Sequence, residues 1–324
     1  MEPIKKEHAT LDPKLRPSSW DEYIGQEGVK NNIHILLSAA VARNQPPEHI
    51  LFYGPPGLGK TTLAHLVAKT IGAALRITSG PAIEKVGDLA SILTNLHEGD
   101  ILFIDEIHRL NRRIEEVLYP ALESGVLDII IGKGPSARTV QLGLPPFTLI
   151  GATTRMADIS APLRSRFSGG VHRLEPYTVE DIETIIDRSS KILDVQVDKS
   201  GTRAIAVRSR GTPRTANYLL KRVRDYGQVH EKPLGEKTVT EALKLLSIDD
   251  MGLNAIDRAY LKTLYTTYRG GPTGVKTIAA SMNEEEATLE DVIEPYLMQI
   301  GLIEKTTRGR MITEAGKEYL ESQK

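Results

Sequence analysis

The sequence predicts an α/β domain built on a parallel sheet, then a small helical domain, then a C-terminal domain of helices closed by one hairpin. Three observations predict it. From about Leu15 to Tyr177 short apolar runs alternate with helical patterns, as in a parallel sheet covered by helices. After Tyr177 the strand signals fade, and Ile182, Ile185 and Ile186, then Ala216, Leu219, Leu220 and Val223, follow the helical i, i+3, i+4, i+7 template. From about Asp257, two helical stretches after Gly270-Gly271-Pro272 lead into Leu302–Thr306 and Arg310–Thr313, which flank the turn Thr307-Arg308-Gly309. Helices followed by one short hairpin fit a winged helix.

Taken in order, residues 1–14 are expected to be a mobile tail. The first domain spans 15–179, with strands expected at Ile50–Tyr53, Leu75–Thr78, Ile101–Ile104, Phe147–Ala152 and Val171–Leu174. The third is nearly all apolar, as a central strand buried on both faces should be. Leu127–Ile131 and Thr139–Leu144 break the alternation and flank Gly132-Lys133-Gly134-Pro135-Ser136-Ala137. That segment, about 127–144, reads as a projecting hairpin of the kind that contacts partners. The helical domain is expected over 180–252 and the winged helix over 253–324.

Composition bounds the chemistry. At 324 residues, 40% hydrophobic and 26% charged, the chain is an ordinary soluble protein with room for two or three domains. Its 41 basic and 42 acidic residues leave a formal charge of -1, so any contact with nucleic acid must rest on a local patch. The absence of cysteine excludes disulfides, thiolate metal sites and a cysteine nucleophile. Met1-Glu2-Pro3-Ile4-Lys5-Lys6 lacks the apolar core of a signal peptide, and no run approaches the ~18 apolar residues of a spanning helix. A cytoplasmic protein with no membrane contact is the expectation.

Gly54-Pro55-Pro56-Gly57-Leu58-Gly59-Lys60-Thr61 matches the full P-loop pattern and sits between an expected strand and a helix starting near Lys60. Glycines such as Gly57 and Gly59 let successive backbone N–H groups turn inward, and the helix N-terminus adds a positive dipole, so the loop cradles phosphate. Lys60 would reach the β and γ phosphates of ATP, Thr61 would offer its hydroxyl to Mg²⁺, and Thr62 is placed for the α or β phosphate. Mg²⁺ also needs a carboxylate, which Ile101-Leu102-Phe103-Ile104-Asp105-Glu106 supplies. Asp105 would serve the metal, and Glu106, one residue further, would polarise the attacking water.

Thr154, in Gly151-Ala152-Thr153-Thr154-Arg155, would contact the γ-phosphate or orient the water. In Gly211-Thr212-Pro213-Arg214, Thr212 and Pro213 read as a helix start that leaves Arg214 in the first turn. A cation there opposes the helix dipole, which makes sense if a phosphate offsets it. Arg164 and Arg166, in Leu163-Arg164-Ser165-Arg166-Phe167, have no acid nearby in sequence, and one of them is a candidate finger for a neighbouring subunit's γ-phosphate. The wing tip concentrates Lys305, Arg308 and Arg310 in a domain where acids outnumber bases. So few cations imply weak, salt-sensitive, sequence-indifferent DNA binding by one subunit, which a ring could sum.

Gly54–Thr61, Leu102–Arg109, Gly151–Arg155, Gly211–Arg214 and Arg308-Gly309-Arg310 together resemble the RuvB family of AAA+ motors. The resemblance runs from about Leu15 to Thr313. Thr78-Ser79-Gly80-Pro81, Gly132-Lys133-Gly134-Pro135 and Gly270-Gly271-Pro272 are more specific to that family than any P-loop. The resemblance implies an AAA+ large domain, a helical lid and a winged-helix head. It implies a homohexameric ring on duplex DNA that hydrolyses ATP to drive branch migration of Holliday junctions in recombination and repair. It further implies that RuvA docks on the hairpin and that RuvC completes a resolvase complex. By the same resemblance Arg166 acts in trans, Thr154 and Arg214 sense the nucleotide, and Leu15, Arg16 and Tyr177 line its pocket. Lys305 and Thr307 depart from the family's usual arginine and proline, and Glu286 stands where some relatives have arginine. The nearest rival is a clamp-loader-like AAA+ ATPase acting on a protein partner, against which the winged helix argues.

Overall fold

The computed structural model describes residues 13–131 and 138–323. The expected turn at 132–137 and the expected tail up to residue 12 lie outside the described residues, and Pro13–Leu15 form a short 3-10 turn. The chain divides into two compact units: residues up to Ile185 together with Thr212–Arg214, and Ile186–Gly211 together with the rest from Thr215.

In the first unit the elements run α1 (Glu27–Arg43), β1 (Ile50–Tyr53), α2 (Lys60–Ile71), β2 (Leu75–Ser79), α3 (Val86–Thr94), β3 (Ile101–Asp105), α4 (Arg112–Ser124), β4 (Val126–Ile131), β5 (Arg138–Gly143), β6 (Thr148–Thr153), α5 (Ala161–Arg164) and β7 (Val171–Arg173), with α6 (Val179–Ile192) leading into the second unit. Five parallel strands stand in the order β2-β3-β6-β1-β7. β6, wholly buried, separates β3 from β1, and its register pairs Ile104 with Gly151 and Tyr53 with Thr153. Three strand ends and the loops that follow them therefore open on one edge of the sheet, where ligands bind in open α/β sheets.

Central strands are apolar throughout because helices cover both faces. Leu51, Leu102, Ile104 and Leu149 pack with Ile107, Ile114, Leu118 and Phe167 in one continuous core. Fully burying each such side chain contributes roughly 1.5–3 kcal/mol. β6 begins at Thr148 rather than at the apolar Phe147, because the Thr148 N–H donates to Asp100 O at 3.0 Å and its hydroxyl to Pro47 O at 2.5 Å. Backbone pairing set that end, and Phe147 simply fills the core. β4 and β5 pair antiparallel from Val126 opposite Gly143 to Ile131 opposite Arg138. Leu127 anchors the hairpin's base in the core, while Val140 and Leu142 remain exposed further along.

The second unit comprises α7 (Lys199–Arg208), α8 (Pro213–His230), α9 (Glu236–Leu245), α10 (Ala255–Lys262), α11 (Val275–Met282), α12 (Glu286–Thr288), α13 (Glu294–Gln299), β8 (Ile303–Thr306), β9 (Gly309–Ile312) and α14 (Glu314–Ser322), the first residues of α8 excepted. Ile205, Leu219, Leu220, Val223, Val239 and Leu243 are buried, as their helical spacing requires. The C-terminal helices bury Tyr260, Leu264, Ile278, Ile293 and Leu297 against the β8-β9 hairpin. Residues 270–273 pair with β9: Arg310 and Thr273 exchange N–H···O bonds of 2.8 and 3.0 Å, and the Ile312 N–H donates to Gly270 O at 3.0 Å. The closing helix α14 has no counterpart in the sequence reading. Its signal was Thr313, whose hydroxyl caps it by accepting from the Gly316 N–H at 3.1 Å.

Candidate nucleotide site and wing

Between β1 and α2 the loop carries Gly54, Gly57 and Gly59 at φ 141, 83 and 101°. Gly57 and Gly59 are obligatory on steric grounds as well. A Cβ at Gly57 would stand 2.7 Å from Thr212 and 3.0 Å from Arg214, and one at Gly59 would stand 2.8 Å from the Tyr23 hydroxyl. The first N–H groups of α2 have no helical partner, so the loop offers donors to an anion. Lys60 is buried, and its ammonium donates to Gly54 O at 2.7 Å and Pro55 O at 2.9 Å. Burial pulls its pKa down, the carboxylates of Glu106 and Asp105 pull it up, and Arg214 lowers it again. Thr61 and Thr62 stand half-buried in the first turn of α2.

β3 ends at Asp105, and Glu106 follows in the left-handed region at φ 47°. Its N–H donates to Asp105 Oδ1 at 3.1 Å. Burial raises the Asp105 pKa and the adjacent Glu106 carboxylate raises it further, against the Glu106 N–H, Lys60 and Arg214. Two acids with only partial cationic compensation suit an added cation. The Thr154 N–H and hydroxyl both donate to Glu106 Oε2, at 3.3 and 3.1 Å. His108 Nδ1 lies 3.2 Å from the same oxygen and 2.9 Å from Thr153 Oγ1. Sequence reasoning missed His108, a lone histidine with no spacing signal.

Arg214 is exposed in the first turn of α8, beside the P-loop and behind the Pro213 that begins the helix. Tyr177 donates its hydroxyl to Leu58 O at 3.2 Å, and Tyr23, also missed, reaches the same carbonyl at 3.3 Å. Burial pushes the Tyr177 hydroxyl up to about 12, so it remains a donor at neutral pH. Arg16 bonds the His65 ring on α2, and Leu15 is buried. The structure thus brings Lys60, Asp105, Glu106, Thr154 and Arg214 to one edge of the sheet.

Arg166, which has no acid nearby in sequence, has one nearby in space. Its guanidinium pairs with Glu123 at 2.8 Å, stacks 4.3 Å from the Tyr119 ring centroid and donates to Pro162 O. Glu123 comes from α4, too far along the chain for sequence proximity to reveal. Arg164 is exposed.

At the wing one expectation is corrected. Arg310 is buried, with Nη2 2.6 Å from Glu290 Oε1 and Nε 2.9 Å from Glu294 Oε1, so it does not face outward for a phosphate. Glu294 is itself buried and also accepts the Tyr260 hydroxyl at 2.9 Å. A buried carboxylate needs its counter-ion, and Arg310 is that counter-ion. Arg308 is exposed, and Lys305 is 57% exposed with Glu290 at 3.8 Å. Arg269 and Lys276, on either side of the segment paired with β9, are further exposed cations.

Residues 15–174 match the P-loop domain of the Holliday junction DNA helicase RuvB, 177–249 the RuvB AAA lid domain, and 250–321 the RuvB C-terminal winged helix domain. Among solved structures, the Thermotoga maritima RuvB Holliday junction branch migration motor is 46% identical, at a TM-score of 0.88 with 95% of this chain and 98% of that chain covered. A substituted form of the same protein matches at 46% identity and a TM-score of 0.87 over the same shares. Agreement over all three domains, the winged helix included, disfavours the clamp-loader alternative. The chain belongs to the RuvB family of AAA+ Holliday junction motors.

Proposed function

We propose that the protein hydrolyses Mg²⁺-ATP as a homohexameric ring and uses the energy to drive branch migration of Holliday junctions, with RuvA and RuvC as partners in the cytoplasm. The observation that carries the proposal is the meeting of Lys60, Asp105, Glu106, Thr154 and Arg214, residues far apart in sequence, beside one glycine-shaped phosphate cradle. Membership of a family of junction motors supports the mechanical output.

In this mechanism the P-loop N–H groups and Lys60 hold the phosphates, with Lys60 exchanging its carbonyl partners for phosphate oxygens. Glu106 takes the proton of the attacking water, and Thr154 and Arg214 report the γ-phosphate. The hydroxyl of Thr61 and the carboxylate of Asp105 form an all-oxygen donor set that fits Mg²⁺, which supplies charge neutralisation when bound. Arg16 and Tyr177 shape the nucleotide pocket, with Leu15 packing its wall. Arg166, oriented by Glu123 and Tyr119, reaches a neighbouring subunit's nucleotide, so hydrolysis requires the ring.

Duplex DNA meets the wing through Lys305 and Arg308, aided by Arg269 and Lys276, with Arg310 holding the wing's shape from inside. Such contacts address phosphates without reading sequence. RuvA docks on the β4-β5 hairpin, where exposed Val140 and Leu142 favour an apolar interface. Among the described residues no helix is long and apolar enough to cross a membrane. A synthetic four-way junction incubated with the protein, RuvA and Mg²⁺-ATP tests the function: strand dissociation that stops with Glu106→Gln is expected. ATP hydrolysis with no movement of the junction would remove branch migration and leave only the ATPase.

A further inference from the structure

We propose that His108 is a positioning residue for hydrolysis: through Nδ1 it fixes one carboxylate oxygen of Glu106 and leaves the other for the water. The inference deepens the assignment of Glu106 as the base and rests on it. Glu106 Oε2 is surrounded by Thr154 N at 3.3 Å, Thr154 Oγ1 at 3.1 Å and His108 Nδ1 at 3.2 Å. Oε1 takes part in no hydrogen bond among the described residues. The site thus treats the two oxygens of one carboxylate differently, which is what orienting a base requires.

Proton bookkeeping assigns the tautomer. Thr153 Oγ1 accepts from the Arg155 N–H at 3.0 Å and lies 2.9 Å from His108 Nδ1. Were Nδ1 bare, it would take the Thr153 hydroxyl proton and set its lone pair against the Glu106 carboxylate. With Nδ1 protonated, the ring donates to Thr153 Oγ1 and turns a proton rather than a lone pair toward the Glu106 carboxylate 3.2 Å away, so no acceptors clash. His108 is held for this task. Its side chain is 10% exposed, on the turn between β3 and α4, and Thr153 is wholly buried at the end of β6. The backbone of Glu106, at φ 47°, is in a conformation that non-glycine residues enter mainly where their surroundings enforce it. His108 thereby links the end of the strand that leads into Thr154 with the residue that Thr154 also touches, so the base and the γ-phosphate sensor are aligned by one set of contacts.

The test combines kinetics with a spectroscopic readout on the full chain. Nitrogen-15 NMR of the histidine rings in the nucleotide-free protein should show His108 protonated at Nδ1. ATP hydrolysis measured in the presence of duplex DNA should fall about tenfold in kcat for His108→Ala, with KM for ATP changed by less than about twofold. His108→Asn, whose amide N–H stands near the place of Nδ1, should recover most of the rate, and His108→Gln, which projects its amide further, should not. Where the alanine variant does not fold, the Asn and Gln pair and the NMR decide. An unprotonated Nδ1 in the wild type, wild-type kcat in His108→Ala, or equal rates for Asn and Gln would overturn the inference. Wild-type hydrolysis by Glu106→Gln would instead remove Glu106 as the base, whereas an inactive Glu106→Gln beside a normal His108→Ala rejects only the role of His108.

Discussion

The nucleotide site and the wing both concentrate charge, but they balance it differently. At the P-loop Lys60 is buried with, among the described residues, backbone carbonyls as its hydrogen-bond partners, and Asp105 sits beside a second acid with its carboxylate disfavoured by burial. At the wing the buried Arg310 has two carboxylates within hydrogen-bonding distance. On the proposed function the first arrangement receives a polyanion and a cation, whereas the second is closed on itself. Partly compensated buried charge fits a ligand site, and fully paired buried charge fits a structural role.

Substitutions sharpen that contrast. The largest effect is expected at the finger: Arg166→Ala should lower kcat by roughly 10³ to 10⁵, with nucleotide affinity kept. A ring that still hydrolyses at a normal rate would move the finger to another residue. Glu106→Gln should cost about 10² to 10⁴ in kcat while nucleotide binding persists, measurable as a trapped ATP complex. Arg310→Ala should act on folding instead, destabilising the protein by about 3–5 kcal/mol because it strands Glu294. Partial rescue of the melting temperature by adding Glu294→Gln would confirm the coupling, and unchanged stability would break the contrast. Asp105→Asn should modestly raise the melting temperature of the nucleotide-free protein, since the fold disfavours the carboxylate, and abolish hydrolysis. The smallest effect belongs to Arg308→Ala, which should weaken DNA binding equally across sequences and flatten the log-log salt slope by about 0.9 per subunit contact.

The same contrast explains what was legible in the sequence. Gly54 to Thr61 and Asp105-Glu106 could be read because backbone geometry and metal chemistry fix both residue type and spacing, and the apolar runs placed β1, β3 and β6 closely. Arg214 could be read from the conflict between its charge and the helix start. His108 and Tyr23 could not, since each acts through contacts with residues distant along the chain or through a single ring nitrogen. Arg166's partner Glu123 was hidden for the same reason. At the wing, Lys305, Arg308 and Arg310 look alike in sequence; Lys305 and Arg310 are even register partners, and what sets Arg310 apart is its pairing with Glu290 and the buried Glu294, which come from elsewhere in the domain. Charge type is visible in a sequence, but its compensation is a tertiary property.

Subunit complementation tests the central claim most directly. Glu106→Gln and Arg166→Ala proteins, each nearly inactive alone, are mixed and their ATP hydrolysis measured on duplex DNA. A subunit with an intact base should then receive the finger of a neighbour that lacks one, so the mixture should hydrolyse ATP well above either variant. No recovery in rings shown to contain both subunits, or normal activity of Arg166→Ala by itself, would contradict an active site completed in trans.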